Sequence, residues 1–233
     1  MILDRINKMK LSIIIPAYNS HDRLPELVEN IQKVKFKGVT TEIIVVDDCS
    51  IDKTYEIAKS MKGITLVRHK TNTGKGGAVK TGLAKGKGDI LYIQDDDLEY
   101  DPIDIPLIIE PILSKKADVC FGSRHMNHQN TYSSLAYYLG GIFIDTLINL
   151  YLKSNITDAL TGAKAFTKKV YKAIQPIESK GFEIETEIAA KAVKYHFRIT
   201  EVPIHYWPRT HRQGKNIHWH HAFHILWALV RFA

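Results

Sequence analysis

Along the first half of the chain, short apolar runs alternate with stretches whose apolar residues recur every three to four positions. Residues 11–15 make an apolar run closed by Pro16, the pattern of a strand buried on both faces. Residues 24–34 place Leu24, Leu27, Val28 and Ile31 on one stripe, which predicts a helix. Further buried strands are expected at 42–46, 64–67 and 90–93, with helices at 54–61, behind an N-cap at Asp52, and at 76–84. Strands and helices alternating at this spacing imply right-handed crossovers and a mainly parallel sheet. The second half is less regular. Strands are expected at 119–122 and 199–206, a long apolar helix-prone stretch at 132–152, a helix at 182–194 and an aromatic-rich helix at 217–232.

No linker, charge block or repeat interrupts this pattern, so residues 1–233 are expected to form one α/β domain. A chain of that length buries roughly two-thirds of its unfolded surface. Cys49 and Cys120 have no metal-ligand spacing and are too few for a disulfide framework. Buried thiols in a reducing cytosol are the expectation. Residues 1–10 lack the apolar core of a signal peptide, and no window holds the ~20 apolar residues that span a bilayer. A cytoplasmic protein is expected, either free or peripheral on the cytoplasmic face of a membrane. The net charge of +7 suits nucleic acid, an anionic membrane surface or a phosphorylated substrate. Nucleic acid is set aside, because the chain has no helix-turn-helix, zinc-finger or aromatic RNA-binding signature.

In parallel sheets ligands bind outside the carboxyl ends of the strands. Three polar segments fall there and should converge: Pro16-Ala17-Tyr18-Asn19, Asp47-Asp48 and Asp95-Asp96-Asp97. If 95–99 is extended, Asp95, Asp97 and Glu99 share a face and Asp96 and Leu98 take the other. Clustered carboxylates repel one another, and Mg²⁺ or Mn²⁺ relieves that cost; the bland alternative is a solvated acidic turn. Asp47 can accept a hydrogen bond from a nucleobase ring N–H or serve only as a charge at a helix start. The turn Asn72-Thr73-Gly74-Lys75-Gly76-Gly77 enters a helix, and its backbone N–H groups and Lys75 suit a phosphate or a nucleotide edge. It is not a Walker loop, since no Gly-Lys-Ser/Thr closes it. Nor is it a full dinucleotide fingerprint, since Val79 replaces the third glycine.

With these residues in place, the chain resembles family 2 glycosyltransferases of the GT-A fold, and among them the dolichol- or polyprenyl-phosphate mannosyltransferase and glucosyltransferase group. The resemblance runs nearly end to end. It includes Ser12 to Asn19, Val45-Val46-Asp47-Asp48-Cys49-Ser50, the glycine turn, Asp95 to Pro102 and Gly122-Ser123-Arg124. It continues through Asp158 to Phe166, Gly181-Phe182-Glu183-Ile184-Glu185 and Val202-Pro203-Ile204. It implies a Rossmann-like, mainly parallel sheet flanked by helices, with an interfacial helical C-terminal part. Residues 10–122 would be the nucleotide-sugar half and 123–233 the acceptor half.

Carried over residue by residue, Pro16, Tyr18 and Asp47 would frame the nucleotide, with Ala17, Asn19 and Asn72 beside them. Lys75, Asp95, Asp96 and Asp97 would lie toward the ribose, diphosphate and metal, with Glu99 a further metal ligand beside Asp95 and Asp97. Arg124, Lys180, Arg209 and Lys215 match basic positions near donor or acceptor phosphates, and Glu187 an acidic position on the helix facing the site. Asp97, Arg124, Glu187 and Arg209 form the implied catalytic set. Two departures stand out. Ser20 replaces a Glu common after Tyr-Asn, and Ser133-Ser134-Leu135-Ala136-Tyr137 offers no second Arg, which leaves glucose or another hexose open beside mannose.

The implied activity is an inverting, Mg²⁺- or Mn²⁺-dependent transfer of a hexose from a GDP- or UDP-sugar to a polyprenyl or dolichyl phosphate. A lipid phosphate is already an anion and needs no strong base; a saccharide hydroxyl needs one, with Glu187 or Asp101 the candidates. That second acceptor is the alternative, and a non-catalytic nucleotide-sugar-binding or membrane-scaffold protein is a third reading. Residues 132–152 and 223–232 carry the apolar and aromatic content of interfacial helices; packing on the core is the alternative. His220 and His224, one helical turn apart among His205, His211, His218 and His221, are a conceivable zinc pair, against surface or headgroup-facing histidines.

Overall fold

The structure, a computed structural model, describes residues 9–209 and 221–233. Its strands are β1 (Met9–Ala17), β2 (Val39–Asp47), β3 (Ile64–Arg68), β4 (Ile90–Ile93), β5 (Val119–Ser123), β6 (Lys164–Thr167) and β7 (Ile199–Pro203). They form one sheet in the order β3-β2-β1-β4-β6-β5-β7. β1, β2, β3 and β4 run parallel, whereas β6 runs antiparallel between β4 and β5. The helices are α1 (Leu24–Lys33), α2 (Thr54–Ser60), α3 (Lys75–Lys85), α4 (Ile105–Leu113), α5 (Leu135–Leu152), α6 (Lys168–Ala173), α7 (Ile184–Lys194) and α8 (His221–Phe232).

Alternation along β1 builds both layers of the core. Ile13 and Ile15 face a cluster that takes in Leu24, Leu27 and Ile31 of α1 and Ile108 and Ile112 of α4. Ile14 faces the other side, with Val79 and Leu83 of α3 and Ile184 and Ile188 of α7. Burying each such side chain contributes about 1.5–3 kcal/mol. β1 pairs with β2 on one side and β4 on the other, so the chain order reverses there. A crevice opens outside the carboxyl ends of β1 and β4, where ligands bind in such sheets.

Every strand and helix expected from the pattern is present where it is described, and 217–220 lie outside the described residues. The pattern did not announce α4, β6 or α6. Prolines at the first turn and at Pro111 obscure α4. β6 begins with Lys164, which is fully buried, against the usual exposure of lysine. Asp52 caps α2 from one position earlier than an N-cap, its Oδ1 accepting from the Thr54 N–H at 2.9 Å.

Candidate functional site

A cavity of about 740 Å³ opens at the carboxyl ends of β1 and β4, with a charged end and an apolar end. At the charged end, the Gln94 N–H donates to the Ile14 carbonyl at 2.9 Å, extending the ladder one residue past β4. The chain then turns rather than continuing extended, with Leu98 at φ +60°. The alternating faces expected for 95–99 are therefore absent, and Asp96 is not turned away. Asp95, Asp96, Asp97 and Glu99 all border the cavity. Asp96 Oδ2 accepts from the Tyr18 N–H at 3.2 Å and from Ser20 Oγ, so the serine in the place of glutamate joins the first strand's end to the acidic turn.

Burial pushes all three aspartates upward. Asp96 rises to about 6, burial and its acidic neighbours outweighing the Ser20 bond. Asp97 rises by burial and the adjacent Glu99 charge, and Asp95 by burial against the opposing pull of Lys75. A Cβ on Gly162 would collide with the Asp95 carboxylate, so the glycine makes room for that group. Lys75 Nζ lies 2.7 Å from Asp95 Oδ1 and 3.0 Å from Glu185 Oε1. Glu185 Oε2 is in turn 3.0 Å from the Nζ of buried Lys164. The result is an alternating series of charges, Asp95, Lys75 and Glu185 at the cavity wall and Lys164 buried behind them. Arg209 Nη2 lies 2.7 Å from Asp97 Oδ2, and its backbone N–H donates to Glu99 Oε1 at 2.9 Å.

The glycine turn is not a phosphate cradle. The Gly76 and Gly77 N–H groups donate to the Lys180 carbonyl at 2.8 and 3.3 Å, and the Gly74 N–H to Asp48 Oδ2 at 2.8 Å. A Cβ on Gly74 or Gly76 would strike the backbone at 179–180. The glycines thus serve close packing of two loops, and Lys180 enters through its carbonyl. Asp48 also accepts from the Thr73 N–H and Oγ1 and meets His69 Nδ1 at 2.6 Å. It fixes the turn that delivers Lys75.

Arg124 Nε and Nη2 donate to Asp158 at 2.7 and 2.6 Å, and its guanidinium lies over the Tyr206 ring at 5.4 Å. Asp158 is fully buried, and burial is outweighed by the Arg124 charge, which holds its carboxyl below the usual range. Beyond Arg124 the wall becomes apolar and aromatic: Tyr132, Tyr138 and Ile144, then Leu160, Phe182 and Ile225. Ligand atoms of His125, Asp145 and Asp158 fall within 4.8 Å of one another on this side, a grouping with no local sequence signal.

Of the residues expected in the site, Pro16, Ala17, Tyr18, Asn72, Lys75, Asp95, Asp96, Asp97, Glu99, Arg124 and Arg209 line the cavity. Asn19, Asp47, Lys180 and Glu187 do not. Asn19 Oδ1 accepts from the Ile51 N–H at 3.0 Å, and fully buried Asp47 pairs with Arg68 Nε at 3.2 Å. Glu187 faces away, accepting from the Glu178 and Ser179 N–H groups and from Lys191 Nζ at 2.6 Å. Its partner four residues on is an intrahelical ion-pair spacing, a signal visible in the sequence. Glu185 is the acidic residue of α7 that faces the site. Asp101 caps the turn at 102–104 through the Ile103 N–H at 3.0 Å. Lys215, His211, His218 and His220 lie outside the described residues, as does the side chain of His221; of the zinc pair only His224 is described, exposed on α8.

Asp95, Asp97 and Glu99 offer only oxygen donors at the cavity wall, though among the described residues the three-ligand group whose atoms already lie within 4.8 Å of one another is His125, Asp145 and Asp158. The all-oxygen set fits Mg²⁺ or Mn²⁺.

Residues 12–175 match the sequence model of the family described as glycosyl transferase family 2. Dolichol-phosphate mannosyltransferase of Pyrococcus furiosus is 31% identical over 89% of this chain and 59% of its own length. The UDP-N-acetylglucosamine–dolichyl-phosphate N-acetylglucosaminyltransferase of Methanococcus voltae is 31% identical over 82% of this chain and 83% of its own. Among solved structures, glucosyl-3-phosphoglycerate synthase of Mycobacterium tuberculosis, in complex with Mn²⁺, UDP and glucosyl-3-phosphoglycerate, superposes with a TM-score of 0.73 at 18% identity, covering 96% of this chain and 79% of that one.

Proposed function

From the premise that the chain belongs to glycosyl transferase family 2, and is a glycosyltransferase of GT-A fold, we propose that it moves a hexose from a nucleotide-sugar to a polyprenyl-type lipid phosphate. The observation that carries this reading is the single cavity with two chemistries. Its charged end suits a diphosphate, and its aromatic and aliphatic end, between α5 and α8, suits a hydrocarbon chain. The named acceptors of the Pyrococcus and Methanococcus relatives are dolichyl phosphates, which supports the same division.

Asp95, Asp97 and Glu99 would hold a divalent cation, which when bound supplies Lewis-acid charge to the leaving diphosphate. The solved synthase was captured with Mn²⁺ and UDP, which supports that donor end. Pro16, Ala17 and Tyr18 form the wall on which the nucleotide would lie. An acceptor phosphate oxygen then attacks the anomeric carbon from the face opposite the diphosphate. The bond to that carbon forms, the bond to the diphosphate breaks, the nucleoside diphosphate leaves and the configuration inverts. Arg124 and Arg209 orient the phosphates, and positioning carries the rate. A hydroxyl acceptor would need a base; neither Glu187 nor Asp101 reaches the cavity, Asp96 is held by Tyr18 and Ser20, and Glu185 is paired with Lys75 and Lys164, which favours the anionic acceptor.

The same helices support a location at a membrane surface. α5 buries Ile148 but exposes Leu135, Leu139, Phe143 and Leu150; α8 buries Ala228 and Leu229 but exposes Phe223, Trp227 and Val230. Each helix packs one stripe on the core and leaves another exposed. No helix among the described residues is long and apolar enough to cross a membrane, so the outer stripes suit contact with the bilayer surface.

The test is replacement of Asp97. Asp97→Ala is expected to lose at least a hundred-fold in metal-dependent transfer while keeping its fold by circular dichroism; full activity would sink the assignment.

A further inference from the structure

Every carboxylate proposed to hold the metal already has an internal cation against it. Lys75 Nζ is 2.7 Å from Asp95 Oδ1. Arg209 Nη2 is 2.7 Å from Asp97 Oδ2, its Nε is 3.4 Å from Glu99 Oε1, and its backbone N–H donates to that same oxygen at 2.9 Å. The guanidinium therefore lies across two of the three carboxylates that would hold the ion.

The two cations are not equivalent. Lys75 also lies 3.0 Å from buried Glu185, which is anchored by Lys164, so it stays compensated when Asp95 turns to a metal. The ion pairs described for Arg209 are both with the acidic turn itself. Arg209 also lines the cavity in which a diphosphate would lie, and its planar fork matches phosphate oxygens.

We infer that Arg209 is an internal counter-ion that a divalent cation must displace, and that the displaced guanidinium is then taken up by the donor diphosphate. Metal and nucleotide thereby bind with positive coupling, each raising the affinity of the other by the same factor. The inference rests on the proposed reading of Asp95, Asp97 and Glu99 as metal ligands. It adds a reason for the metal to bind poorly alone and well with the nucleotide.

The experiment is a titration of the purified chain with Mn²⁺, reading free Mn²⁺ by electron paramagnetic resonance, first without nucleotide and then with UDP or GDP. The wild type is expected to bind Mn²⁺ weakly alone and at least about five-fold more tightly with nucleotide, the lower end of typical coupling. Arg209→Gln is expected to bind Mn²⁺ alone several-fold more tightly than the wild type, and to lose most of the gain from nucleotide. Arg209→Lys, which keeps a charge but cannot span both carboxylates, should fall between and remains informative if the Gln variant misfolds. Equal or weaker Mn²⁺ binding by Arg209→Gln without nucleotide overturns the inference, as does an unchanged gain from nucleotide. A wild type that binds no Mn²⁺ under either condition overturns the metal reading itself, and the inference with it.

Discussion

At the scale of single residues, the site is a set of paired charges whose partners decide their roles. Gly162 is the sharpest case: a methyl there would press on Asp95, so Gly162→Ala should weaken Mn²⁺ binding several-fold in a titration while leaving the far-UV spectrum unchanged. Glu187 is structural. Although burial opposes it, its hydrogen bonds from Lys191, Ser179 and Glu178 hold its carboxyl below the ordinary 4.5. A depressed carboxylate adds stability that is complete above its unfolded pKa and is lost as pH falls through the folded one. Glu187→Gln should therefore melt below the wild type at pH 7, with the gap closing as the pH is taken from about 5 toward 3. A gap that stays constant over that range would contradict the assignment. The convergence of the strand-end segments was legible in the sequence because polar residues just past buried parallel strands fall at one crevice. The partners were not. That Asp48 holds the glycine turn, that Glu185 rather than Glu187 faces the cavity, and that Lys164 lies buried beneath it all depend on contacts between residues distant in the chain.

At the scale of elements, periodicity located β1 to β4 and α1 to α3 because each has a clean apolar pattern and a polar boundary. It failed at α4, where prolines mimic a break, and at β6, where a buried lysine hides a strand. The extended-strand reading of 95–99 failed for a related reason: the ladder ends at Gln94, and the positive φ at Leu98 turns the chain so that four carboxylates share one cavity. The close fit of α3 on the sheet gives a test. A Cβ on Gly82 would run into Ile14 Cγ2 at the centre of β1, where overpacking typically costs about 1–3 kcal/mol. Gly82→Ala should lower the urea midpoint accordingly, and should cost less in a chain that already carries Ile14→Ala, which lacks the γ carbons it strikes.

For the whole molecule, the apolar end of the cavity is lined by residues of α5 and α8, the same two helices that expose apolar stripes. That arrangement would let a lipid phosphate enter from a bilayer surface while its head reaches the crevice. Replacing Phe143 and Trp227 together with Gln should reduce co-flotation with vesicles containing anionic lipid, while transfer to a short-chain, water-soluble polyprenyl phosphate is retained. Unchanged flotation would count against the membrane face. The central claim is tested most directly by incubating the chain with UDP- or GDP-hexoses and Mn²⁺ or Mg²⁺, offering polyprenyl phosphate and free saccharides side by side, and identifying products by mass spectrometry. The account predicts a hexosyl polyprenyl phosphate that disappears with a chelator; transfer to saccharide hydroxyls with none to the lipid phosphate would contradict it.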